Sequence, residues 1–157
     1  MSDTALMPSK PRPAVKPPST ERDAFWIDAF APKQRARPGG GGKWLVFVPE
    51  SVVDSWWDTI KTAIEAGRLG NAAKVATARA SPLATSKGSR VICIYTEDWR
   101  DKADVRRVLG ELRTLGLEGR LSYKRDEDTM SGRYGSGAAT YVSQPGSLDF
   151  EDRTVTL

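Results

Sequence analysis

Two amphipathic stripes, each closed by a glycine and each flanked by short runs of β-branched and aromatic residues, restrict what this chain is able to fold into. In the first, Val53, Trp56, Trp57, Ile60, Ala63 and Ile64 recur at spacings of three and four, which places them on one face of a helix. Pro49 and Ser51 suit its start and Gly67 its end. In the second, Val105, Val108, Leu109, Leu112 and Leu115 form the stripe, Asp101 is the expected N-cap, and Gly116 ends the helix. A helix with one apolar face needs something to cover it, and the candidates are the extended runs at 24–30, 43–48, 72–78, 90–96, 120–125 and 139–143. The run RVICIYT at 90–96 is apolar on both faces and is expected to be central. The order strand, strand, helix, strand, strand, helix, strand, strand predicts an α+β fold with its helices on one face of the sheet. No internal repeat is present.

With 157 residues and 39% hydrophobic content, one packed core is expected. Residues 1–22, dominated by Pro, Lys, Ser and Thr, carry too little apolar surface to offset backbone ordering and are read as a disordered basic arm. The domain is expected at 23–144, followed by a flexible tail at 145–157. No stretch approaches the roughly 20 apolar residues of a membrane helix, so a cytoplasmic monomer without membrane association is expected.

Cys93 is the only cysteine, which excludes an internal disulfide, and there is no histidine. Ser-His-Asp and Cys-His catalysis and histidine-based zinc sites are excluded with it. Four glycines at 39–42 are followed by Lys43 and Trp44 instead of Lys and Ser or Thr, so this is no phosphate loop, and no cofactor is expected. The acids at 126–128 miss the calcium-loop spacing, and no metal is expected.

The +4 net charge is unevenly placed. Up to Lys43, eight basic residues face four acids, while from Trp44 onward the two kinds balance. Arg68, Lys74, Arg79, Lys87 and Arg90 follow one another with no acid between Glu65 and Glu97, which is either a solvated basic surface or an anion site. The loop KRDEDTMSGRYGSG brackets Asp126, Glu127 and Asp128 with Lys124, Arg125 and Arg133. It is either a self-compensating connection or a ligand loop whose glycines free the backbone for close approach.

Taken in order, GGKWL, VDSWW, ARA, VICIYTED, DVRRVLGELRTLGL and DTMSG resemble segments of the messenger-RNA cap-binding initiation factors, over about residues 40–143. A closer resemblance, carried by GKWLVFVP, GRLGNAAKVATA, VICIYTEDW and YKRDEDTMSGRYG, is to the basophilic-leukemia-expressed proteins, whose bacterial relatives are sometimes labelled phosphothreonine lyases. These resemblances imply a curved antiparallel sheet with about three helices on one face. They also imply that Arg79 matches a phosphate-holding arginine, with Lys87 or Arg90 closing the same loop. The Trp-Glu pair that grips a methylated base has no counterpart in 32–38, so the cap itself is not the expected ligand.

Three functions follow as expectations. The first is non-catalytic binding of RNA or a nucleotide in a basic pocket on the concave sheet face, through Arg79, Lys87, Arg90, Lys124, Arg125 and Arg133. Trp26 and Trp99 are the candidate stacking rings there, set against ordinary packing roles. The second is a lyase-like enzyme with a Lys base, for which no histidine acid exists. The third is a protein-interaction module using Val53, Trp56 or Trp57 on the helical face. Cys93 and Trp44 are assigned to the core.

Overall fold

The computed structural model describes residues 16–33, 40–79, 88–126 and 139–154. Seven strands form one antiparallel sheet: β1 (Trp26–Phe30), β2 (Gly42–Pro49), β3 (Ala72–Ala76), β4 (Ser89–Thr96), β5 (Leu121–Arg125), β6 (Tyr141–Ser143) and β7 (Glu151–Asp152). Their spatial order is β1-β3-β4-β2-β5-β6-β7, and the sheet is curved and unclosed. Two helices, α1 (Val53–Glu65) and α2 (Lys102–Thr114), lie on one face. Among the described residues there are two α-helices and not about three, with a 3₁₀ turn at Glu50–Val52 leading into α1.

Local chemistry explains the helices. Val53, Trp57, Ile60, Ala63 and Ile64 are buried on α1, and Val105, Val108, Leu109 and Leu112 on α2. Trp56 and Leu115, expected on the same stripes, pack half-buried at their margins. Asp101 caps α2 by accepting from the Asp104 N–H at 3.2 Å. Gly67 and Gly116 end the helices in the left-handed region, with φ of 76° and 106°.

The helices cover the sheet face that carries Trp44, Val46, Val48, Val75, Ile92, Ile94, Tyr123 and Tyr141. Within it Trp44, Tyr123, Tyr141 and Phe150 form a chain of ring contacts with centroids 4.4–6.0 Å apart. Their polar atoms are satisfied inside the core: the Trp44 indole donates to the Val105 carbonyl at 3.1 Å, and the Tyr123 hydroxyl meets the Thr96 hydroxyl at 2.6 Å. Burial pushes the Tyr123 hydroxyl above its ordinary range and the Tyr141 hydroxyl up to about 12.

The described parts of the two chain ends make defined contacts. Residues 1–15 of the expected arm, and 155–157 of the expected tail, lie outside the described residues. Within 16–22, Ser19 bonds the Asp54 carboxylate on α1 through both its N–H and its hydroxyl. Beyond Pro145 the chain carries β7, which pairs with β6. The buried guanidinium of Arg113 on α2 donates to the carbonyls of Gln144 and Ser147 and to the Ser143 hydroxyl, fastening this segment to the helix. No helix among the described residues is long and apolar enough to cross a membrane.

Candidate functional site

Side chains alternate along a strand, so the residues of β2 between the core positions Trp44, Val46 and Val48 point to the opposite face. They are Lys43, Leu45 and Phe47, and neither helix lies over them. The cross-strand register fixes their neighbours. Lys43 stands opposite Tyr95 on β4 and opposite Lys124 on β5. Leu45 stands opposite Cys93, which in turn faces Lys74 on β3. Phe47 stands opposite Val91.

At one end of this face two lysines are therefore direct cross-strand partners, and they are buried, 2% and 6% exposed, as are Leu45 and Cys93 beside them. Like charges in that relation oppose each other, and burial removes hydration that an ammonium group gives up at a cost of several kcal/mol. Asp126 offsets part of this for Lys43, its carboxylate accepting from Nζ at 3.0 Å, while the Tyr95 ring lies 5.6 Å beneath the same ammonium. The carboxylate is delivered by the backbone bond from the Asp126 N–H to the Gly41 carbonyl, and a Cβ on Gly41 would sit 2.6 Å from its Oδ2. Lys124 is engaged as well.

The other end of the face is more accessible. Phe47 is 61% exposed, beyond the end of the pairing of β2 with β5 at Leu45. On the edge strand β1, Trp26 is half-buried, and the Lys74 ammonium rests over its ring at 4.0 Å.

The residues singled out from the sequence divide between the two ends. Arg79 is exposed beside the end of β3, with its guanidinium over the Phe25 ring at 4.3 Å and donating to the Asp23 carbonyl. Arg90 shares the same hairpin end, but its register opposite Val48 puts it on the helical side, ion-paired with Glu50 at 3.0 Å. Lys124 and Arg125 lie at the far end of β4, five residues and about 17 Å along the strand from Arg90. Arg125 turns to the core side and stacks on Trp99 at 5.0 Å, with Arg100 at 5.8 Å from the same ring. Trp99 packs against the core, its carbonyl accepting from the Tyr141 hydroxyl, and it is not brought to Trp26. Lys87 and Arg133 lie outside the described residues. Lys74 belongs to the acid-free basic stretch noted in the sequence, whereas Lys43 and Phe47 were not among the residues singled out, although the alternation of KWLVFV already separates them from the core positions.

Cys93 is fully buried, and no group of three His, Cys, Asp or Glu that would hold a metal occurs among the described residues. Val53 and Trp57 are in the core, which leaves only half-buried Trp56 of the expected partner anchors near the surface. A cleft of about 310 Å³ opens elsewhere, between the end of β1 and the start of α2, lined by Lys33, Asn71, Glu97, Asp104 and Arg107. It contains none of the expected site residues, and its Arg107 is held by Asp104 and by the carbonyls of Arg68 and Leu69.

The family model for Basophilic leukemia-expressed protein Bles03 matches residues 32–129, more than half of the chain. The chain belongs to the Bles03 family. The Bles03 match begins ahead of β2 and ends beyond β5, so it contains Lys43, Phe47, Lys74 and Lys124. Strand β1 with Trp26 and strands β6 and β7 lie outside it.

Proposed function

We propose that this chain binds, without catalysis, a phosphorylated ligand of the RNA or nucleotide class on the open face of its sheet. The observation that carries this reading is the pair Lys43 and Lys124, directly opposite each other on β2 and β5 and both buried. Both ammonium groups are already engaged, Lys43 by the Asp126 carboxylate at 3.0 Å, so a phosphate reaching this pair would exchange for those contacts through charge-assisted bonds. The curved antiparallel sheet backed by helices supports reading the architecture as cap-binding-like, with the phosphates placed at Lys43 and Lys124 and not at Arg90.

The test is titration of the full chain with pyrophosphate, followed by tryptophan fluorescence, beside Lys43→Met and Lys124→Met. Saturable binding that weakens roughly tenfold or more in each variant is expected, that being the scale of one lost charge-assisted bond. Circular dichroism of the variants is expected to match the parent, since methionine fills similar space without the charge. No saturable binding to the parent protein, or equal binding by both variants, would sink this reading.

A further inference from the structure

The accessible end of the same face carries two aromatic rings, Trp26 and Phe47. Trp26 pairs with Ala76, and Phe47 pairs with Val91. Because Val75 pairs with Ile92, the next step of that ladder sets Ala76 beside Val91, so the four residues form one row across β1, β3, β4 and β2. Its two outer members are aromatic and its two inner ones are small and half-buried. The result is a shallow trough about 14 Å wide, three strand spacings, between two rings. Phe47 is 61% exposed, two residues past the end of the pairing of β2 with β5, where it stands beside Val91 of β4.

Cations adjoin the trough. The Lys74 ammonium lies over the Trp26 ring, and exposed Arg79 follows the end of β3 beyond Ala76. The Lys43–Lys124 pair lies four residues along β2 from Phe47, about 13 Å away on the same face. An exposed ring at Phe47, a half-buried ring at Trp26 beneath an ammonium group, and the cations beside them match a ligand that presents flat faces and negative charge. Asp28, opposite Lys74, is the acid among this row's neighbours. Duplexes hide their base faces in the stack, and a mononucleotide has too little length to span both ends.

Resting on the phosphate-binding reading above, we propose that the ligand is a single-stranded nucleic acid, with bases stacked against Phe47 and Trp26 and its backbone running past Lys74 and Arg79 towards Lys43 and Lys124. The experiment measures fluorescence anisotropy of a labelled short oligouridylate, single-stranded and as a duplex with oligoadenylate, against the full chain and Phe47→Ala. Pyrophosphate binding is measured in parallel. Phe47 is exposed, so its loss leaves the fold intact. The expected result is tighter binding of the single strand than of the duplex, and a loss of roughly tenfold in Phe47→Ala with pyrophosphate binding unchanged. If pyrophosphate binds but the oligonucleotide ignores Phe47→Ala, or the duplex binds as well as the single strand, the single-strand assignment falls and the phosphate site stands. If neither ligand binds, both fall together.

Discussion

A single glycine shows how local geometry fixes what a position tolerates. A Cβ placed on Gly70 would lie 1.7 Å from the carbonyl oxygen of Tyr95, which is backbone and is already bonded to the Asn71 N–H. Nothing flexible is available to move, so Gly70→Ala has to displace the entry of β3 along β4. Gly110, in the middle of α2, has nothing within 4 Å of the same added atom. There the substitution only removes the conformational freedom that a helical glycine keeps in the unfolded chain. Gly70→Ala is expected to lower the unfolding free energy by about 2 kcal/mol or more. Gly110→Ala is expected to raise it by about 0.5–1 kcal/mol. Urea unfolding midpoints of the two variants, moving in opposite directions, check both.

Strand β7 depends on the helix opposite it more than on its own two residues. Three cations of α2 reach the segment that carries it: Lys102 pairs with Asp152, Arg106 with Asp149, and Arg113 holds the carbonyls between. The hydrogen bond from Lys102, with two more from Thr154, holds the Asp152 carboxyl down to about 2 from its ordinary 3.8. A depressed carboxylate contributes stability above its ordinary value and loses it as pH falls through the depressed one. Lys102→Met is therefore expected to cost under about 1 kcal/mol near neutral pH, since the pair is largely exposed. That difference from the parent is expected to shrink between about pH 4 and pH 2 and to vanish below, as read from unfolding curves across that window. The same dependence explains why β7 was not legible in the sequence. Glu151 and Asp152 carry no strand signal of their own, and what places them is contact with a helix some fifty residues earlier. The stripes of α1 and α2, the cap at Asp101 and the glycines at 67 and 116 were legible because each is a local pattern. The site was legible in half: alternation puts Lys43 and Phe47 opposite Trp44, but only the non-local pairing of β5 with β2 sets Lys124 beside Lys43.

At the scale of the whole molecule, the proposed binding divides its work between charge and shape, carried by separable groups. The chain carries a net charge of +4, all of the excess falling in residues 1–43, so attraction to any polyanion has a general component. On that background the proposed binding mode uses Lys43, Lys74, Arg79 and Lys124 as phosphate contacts and Phe47 as a contact that carries no charge. Each phosphate neutralised on a single strand releases counterions and steepens the salt dependence by about 0.7 in log–log slope. Four contacts give a slope of about −3, and the basic leader makes it steeper. Lys74→Met is expected to make the slope shallower by about 0.7, whereas Phe47→Ala weakens binding at every salt concentration and leaves the slope where it was. Oligonucleotide anisotropy titrations over a salt series check the two against each other. A change of slope in Phe47→Ala would mean that the ring acts by positioning a cation and not by stacking. An unchanged slope in Lys74→Met would take the backbone path off this end of the sheet.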